Sequence, residues 1–437
     1  LNVSQITIKE IIMIILASIL SGLPFLMSIL LIIKQPRFPR GFWLLLPKLP
    51  AGALSPYWAI MGIVGAVIGW RYEAYWAIPM GILGAGIMIW YVWRCTQDHK
   101  GFEKAFGADW SDLIPHEQTR HLLQKRWTWF LRMKTSPQPV WERDIPFWTI
   151  PDTQRELLCD IWRPADDNVS GLALIYIHGG AWFMWDKDYY TRSFFRHLVA
   201  QGHTVMDVSY RLCPEVDIYG MIGDVKHAIA WMKANASHYG VNPEKIVLGG
   251  ASAGGHLAQL IGYTPGHPEL TPEDLKAADQ SVCGVISYYG FTDVLALYQY
   301  MNLGPLEDQP PVPVGTNLGP NKGMRYMSRF DILFGGWPED TPYIYQLASP
   351  VTHVHPGCPP TLLIQGEQDV FCPVDATRAH HTKLVESGVP AINIVFPCTN
   401  HAFDLLFPQM SPAAQSALYD VDRFLAVLLN KGDMKNG

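Results

Sequence analysis

Cysteine is sparse and unpatterned in this chain: seven residues, at 95, 159, 213, 283, 358, 372 and 398, with no C-x-x-C spacing. That argues against a disulfide framework and a thiolate zinc site, and it fits a reducing compartment. Charge is thin as well. Only 16% of the 437 residues are Asp, Glu, Lys or Arg, and the net charge is −6. No basic stripe with interleaved aromatics crosses the main body, so nucleic acid is not an expected partner. Internal repeats and low-complexity tracts are missing too, which leaves no sign of a solenoid or propeller.

What the chain has instead is apolar sequence, concentrated at its front. Ile11 to Ile33 runs 23 residues without a charge, long enough to cross a bilayer at about 1.5 Å per residue. Ala51 to Trp70 and Ala74 to Trp93 are two further uncharged runs of 20, joined by Arg71-Tyr72-Glu73 and flanked by aromatics such as Tyr57, Trp58, Trp76 and Trp90. A cleaved signal peptide is the competing reading, but the first run is long for one and its flank sets Lys9 against Glu10. We therefore expect about three spans within residues 1–100, a multi-pass integral membrane protein. The loop after the first run holds Lys34, Arg37, Arg40 and Lys48, whereas the next holds Arg71 against Glu73. The positive-inside rule then puts everything after residue 94 in the cytoplasm. Gly65 and Gly69 form one small-xxx-small step, open to helix association or to ordinary close packing. Residues 101–139 read as a linker. In it Arg120 to Lys134 is helical in pattern and mixes basic residues with Trp127, Trp129 and Phe130. It could lie in the membrane interface or pack on the rest of the chain.

From residue 140 to 437, short β-rich runs alternate with helical stretches, the pattern of a largely parallel sheet covered on both faces. Strands are expected at 157–162, 172–178, 204–210, 245–248, 282–289, 361–365 and 393–396. Helices are expected near 190–201, 220–237, 252–263, 375–387 and 413–429. Residues 291–346 break the rhythm with Pro and Gly, as a lid or binding loop would.

Two runs end in chemistry. Lys245 to Leu248 leads into Gly250-Ala251-Ser252-Ala253-Gly254, a serine on a sharp small-residue turn before a helix. Leu172 to Ile177 ends in His178-Gly179-Gly180-Ala181-Trp182. Alone, the serine pentapeptide is a weak signal; with the His-Gly-Gly turn it is strong. Acyl transfer needs a nucleophile, a base, an orienter for the base and donors for the oxyanion. Ser252 is the candidate nucleophile. Asp369 lies just past the 361–365 strand, ahead of its rivals Glu367 and Asp375. His401 lies just past the 393–396 strand, whereas His353, His355, His380 and His381 precede the acid strand or fall in a helix. The oxyanion donors would be backbone N–H groups of Ala253 with Gly179, Gly180 and Ala181. His178 is expected to hold the turn rather than act as a base.

The pieces YIHGGAW (176–182), SYRLCPE (209–215), GGASAGGHLA (249–258), YYGFTD (288–293), QGEQD (365–369) and NHAFDL (400–405) resemble the α/β-hydrolase superfamily, near its hormone-sensitive-lipase-like and carboxylesterase branch. The resemblance implies an α/β fold with about eight strands, a Ser252–His401–Asp369 triad and no cofactor or metal. The third glycine of the usual HGGG turn is Ala181 here, and Ala251 stands where many relatives carry Asp, so substrate preference does not carry over. The expectation is a membrane-anchored serine esterase acting on a small-molecule or lipid-like ester. An acyltransferase or amidase using the same residues is the alternative, and an inactive binding module is a third reading.

Overall fold

A computed structural model describes residues 7–36, 41–131, 139–165, 169–301 and 329–430. Its centre is an eight-stranded sheet, with strands β1 (Val140–Thr149), β2 (Glu156–Arg163), β3 (Ala173–Ile177), β4 (Thr204–Val208), β5 (Ile246–Ala251), β6 (Gly284–Tyr288), β7 (Thr361–Gly366) and β8 (Ala391–Phe396). The spatial order is β1-β2-β4-β3-β5-β6-β7-β8. β2 pairs antiparallel with β1 and β4, and the remaining pairs are parallel. Every residue of β3, β4, β5, β6 and β7 is buried. This is why those strands show as continuous apolar runs: a parallel sheet covered on both faces leaves no polar side to alternate with. β1 was not among the expected strands. Its Glu142, Arg143, Asp144 and Pro146 mask the pattern, and an edge position with shifted register tolerates them.

Alternate residues of β3 feed two cores, as the two-residue period of a strand requires. Ala173, Ile175 and Ile177 join a cluster with α8 (Ile218–Ala234) and α9 (Ala253–Tyr263). Leu174 and Tyr176 join one with α7 (Arg192–Val199), α14 (Pro412–Asn430) and the N-terminal helices. Those are α1 (Ile8–Ile32), α2 (Phe42–Ala53), α3 (Ser55–Arg71) and α4 (Ala77–Cys95); α5 (Gly101–Phe106) and α6 (His116–Thr119) follow as short turns. α10 (Val294–Met301), α11 (Phe330–Leu333) and α12 (Pro342–Leu347) occupy the expected lid region, whose residues 302–328 lie outside the described ones. α13 (Val374–Glu386) sits between β7 and β8.

The N-terminal helices pack closely because small residues let their backbones approach. A methyl group on Gly65 would sit 2.6 Å from the Ser21 nitrogen of α1, and one on Gly62 would sit 2.7 Å from the Gly81 carbonyl of α4. α1 and α4 are long and apolar enough to span a bilayer, with 25 and 19 residues; α2 and α3 qualify only as a pair, bent by 75°. The span read at 51–70 takes in the last three residues of α2 and nearly all of α3, which meet at Leu54, with Pro56 in the first turn of α3. The expected helix over Arg120 to Lys134 also needs correcting. Residues 120–131 are not helical, and 132–134 lie outside the described residues. Polar groups of α14 hold this stretch open. Asp422 accepts the Leu123 N–H at 3.0 Å, Gln415 accepts that of Thr128 at 2.8 Å, and Asp420 accepts from Arg126 at 2.7 Å. Backbone donors satisfied from outside have no need of a helix.

Candidate active site

Ser252 stands between β5 and α9 with φ 56° and ψ −120°, a strained conformation for a residue with a side chain. Its N–H donates to the Tyr288 carbonyl at 2.8 Å, and its own carbonyl accepts from His256 N–H at 2.9 Å. The small flanks have a direct cause. A methyl group on Gly254 would lie 2.0 Å from the Ile177 carbonyl oxygen, and one on Gly250 would lie 2.5 Å from the backbone of Gly254. No other residue fits where the elbow passes under β3.

The three predicted side chains meet. His401 Nε2 is 3.0 Å from Ser252 Oγ, and His401 Nδ1 is 2.8 Å from Asp369 Oδ2. The Asp369 side chain is fully buried, and its other oxygen accepts the N–H groups of Phe371 at 2.9 Å and Cys372 at 2.8 Å. Both carboxylate oxygens are therefore satisfied, which a buried charge requires. The His401 ring lies among Tyr289, 4.4 Å between ring centres, and Phe371, 5.1 Å and edge-on. The rivals point elsewhere. Glu367 accepts from Cys398 N–H, and the largely exposed Asp375 pairs with Arg378. His353 bonds the Leu347 carbonyl and His381 that of Ala391. His380 is buried beside Tyr263, and burial pulls its pKa down to about 3.

Gly179, Gly180 and Ala181 line the same cavity as Ser252. Gly180 and Ala181 have φ of 123° and 51°, and the Gly180 carbonyl accepts from Phe183 and Met184, both at 3.0 Å. This folds the turn back over the elbow. The N–H groups of Gly180, Ala181 and Ala253 donate to no acceptor among the described residues. His178 bonds within the turn: Nδ1–H donates to the Gly179 carbonyl at 2.7 Å, the ring stacks on Tyr210, and burial lowers its pKa. The turn and the elbow helix are linked by a contact that the motifs alone do not announce. Trp182 Nε1–H donates to His256 Nδ1 at 3.3 Å, and His256 Nε2–H donates to the Ala348 carbonyl at 2.7 Å. Burial lowers the His256 pKa to about 4, so it stays a neutral bridge.

The cavity above Ser252 measures about 230 Å³ and its walls are apolar, with Trp182, Phe291, Met301, Phe330, Phe371 and Leu405 among them. Phe42 and Leu45 of α2 also line it. Sequence reasoning missed these two, having placed them in a loop between membrane spans. Asn400 was missed as well. Its Oδ1 accepts the N–H groups of Val370 at 3.1 Å and His401 at 2.7 Å, tying the acid loop to the base loop. Among the described residues no cluster of three or more His, Cys, Asp or Glu could hold a metal ion.

Residues 159–384 match the BD-FAE family. The chain is 29% identical over 351 residues to esterase LipQ of Mycobacterium tuberculosis, covering 78% of this chain and 77% of LipQ. It is 33% identical over 274 residues to "Probable carboxylic ester hydrolase LipM" of the same organism, covering 61% of this chain and 57% of LipM. Among solved structures, esterase B from Lactobacillus rhamnosis has the same fold, with a TM-score of 0.54 and 23% identity over 69% of this chain and 90% of that one.

Proposed function

The chain belongs to the BD-FAE family, in the carboxylesterase branch of the α/β-hydrolases, and is a carboxylic-ester hydrolase; from that premise we propose that it is a membrane-anchored serine esterase working through Ser252, His401 and Asp369. The observation that carries this reading is the continuous chain from Ser252 Oγ through His401 to Asp369, at 3.0 and 2.8 Å.

His401 Nε2 takes the Ser252 proton as Oγ attacks the ester carbonyl, and Asp369 stabilises the imidazolium through the Nδ1–H bond. The carbonyl oxygen becomes an oxyanion held by N–H groups of Ala253 and the Gly180–Ala181 turn. Losing one such donor typically costs about 10² to 10³ in rate. Collapse breaks the ester C–O bond, and His401 returns the proton to the leaving alcohol. Water then attacks the acyl-serine with His401 as base again, releasing the carboxylic acid and regenerating Ser252.

The apolar cavity favours esters with an apolar or lipid-like chain. Membrane anchoring is supported by the length and apolarity of α1 and α4. A cytoplasmic catalytic domain is supported by the sequence order of the charges: Lys34, Arg37, Arg40 and Lys48 between the first two apolar runs and Arg94 and Lys100 after the third, against Arg71 and Glu73 between the second and third. A reporter active only outside the cytoplasm, fused after residue 100, should stay silent; a signal would overturn the orientation. For the chemistry, Ser252→Ala should remove hydrolysis of p-nitrophenyl acyl esters to a trace. Near-full activity in that variant would defeat the assignment.

A further inference from the structure

Helix α2 has only 12 residues and contains Pro47 and Pro50, yet it is apolar on two faces. Trp43 and Leu46 point outward, 76% and 59% exposed. Phe42 and Leu45 fall on the neighbouring stripe, three residues apart as helix geometry requires, and line the cavity that holds Ser252 and His401. The Phe42 ring meets Phe371 edge-on at 6.1 Å, and Phe371 in turn meets His401. Two ring contacts therefore separate this helix from the base.

Buried polar contacts fix α2 in that place. Lys48 is 3% exposed, and its ammonium donates to the carbonyls of Leu31 at 3.3 Å and Ile33 at 2.6 Å, at the end of α1. It also donates to the side chain of Gln368, the residue before Asp369. Gln35, between α1 and α2, accepts a hydrogen bond from Asn400, the residue before His401. A buried ammonium is tolerated only with such partners, so displacing α2 would strand it. The helix is thus anchored to both loops that carry the base and its acid.

We infer that α2 is a fixed wall of the ester-binding cavity and that Phe42 and Leu45 set how long an apolar chain the enzyme accepts. The substrate class is then carboxylic esters with an apolar chain of medium length, ending against α2. This rests on Ser252 being the nucleophile of the same cavity. Each methylene the cavity buries raises kcat/KM about fourfold, until the chain reaches the wall. Leu45→Trp brings the wall inward, and Phe42→Ala moves it outward.

The test uses full-length protein in detergent micelles and p-nitrophenyl esters from acetyl to dodecanoyl, with rates divided by active sites titrated with a fluorophosphonate. The readout is the kcat/KM ratio of decanoyl to butyryl ester. Leu45→Trp should lower that ratio by about tenfold or more, and Phe42→Ala should raise it several-fold, with the optimum moving to longer chains. Trp43→Ala, on the outer face, should leave it within about twofold. Leu45→Phe and Phe42→Leu provide gentler steps in the same two directions should either larger change reduce the titratable sites. Ratios that coincide with the wild type, or that move the same way in both variants, overturn the inference. If the wild type hydrolyses these esters through Ser252 and only the ratios fail to move, the catalytic reading stands and the α2 wall falls. If Ser252→Ala retains the wild-type rate, both fall.

Discussion

Replacing Asp369 with Asn probes the site by one atom. The Oδ1 oxygen accepts two backbone N–H groups, from Phe371 at 2.9 Å and Cys372 at 2.8 Å, while Oδ2 faces His401 Nδ1 at 2.8 Å. An asparagine has one oxygen and one NH₂ to place in these positions. Turning the NH₂ toward the two N–H groups would set donors against donors in a buried site, at about 1–3 kcal/mol for each lost bond. The amide therefore keeps its oxygen there and presents NH₂ to His401. Nδ1 must then accept, so the ring proton moves to Nε2, the atom that has to receive the Ser252 proton. The wrong tautomer in an intact site costs about 10⁴ in kcat, or about 5 kcal/mol of barrier. Thermal unfolding should change little, because every bond of the carboxylate has a replacement. The assay is kcat on p-nitrophenyl butyrate near neutral pH, beside a melting curve for each protein. A loss smaller than about tenfold with an unchanged melt would refute the reasoning, since His401 would then not depend on Asp369 for its tautomer.

Three further outcomes follow from the geometry. Gly254→Ala places a methyl 2.0 Å from the Ile177 carbonyl, a backbone collision that no rotamer relieves, so soluble yield and melting temperature should both fall sharply. Asn400→Ala removes the acceptor shared by Val370 and His401, and kcat should fall by about 10- to 100-fold through loss of positioning, with a smaller change in KM. Burial pushes the Asp207 carboxyl up to about 8, against about 3.9 in an unfolded chain. The folded protein then holds one more proton across that interval, so Asp207 erodes stability as pH rises from about 4 to about 8. Asp207→Asn should flatten the decline in melting temperature between these limits, and an unchanged decline would remove Asp207 as its source.

The catalytic loops were legible because each depends on a local rule. Ser252 needs Gly250 and Gly254 where backbones nearly touch, and Asp369 and His401 follow buried strands whose apolar runs stand out. Where long-range contacts decide the structure, the local pattern misled. Residues 120–131 have helical spacing, yet α14 takes up the backbone N–H groups of Leu123 and Thr128. Helix α2 was hidden by Pro47, Pro50 and Lys48, which read as loop residues. Nothing local says that Lys48 would be buried beside Gln368, 320 positions away, and with it the role of Phe42 and Leu45 in the cavity was out of reach. Glu142 to Pro146 hid β1 in the same way, since an edge strand tolerates what a central one cannot.

The most direct test of the account is to treat the full-length protein with an organophosphonate ester and locate the adduct by peptide mass spectrometry. The Ser252 peptide should carry one phosphonyl group, hydrolysis should fall in proportion to its occupancy, and Asp369→Asn should slow labelling in step with turnover. An adduct on another residue, or full labelling of Ser252 with hydrolysis intact, would contradict it.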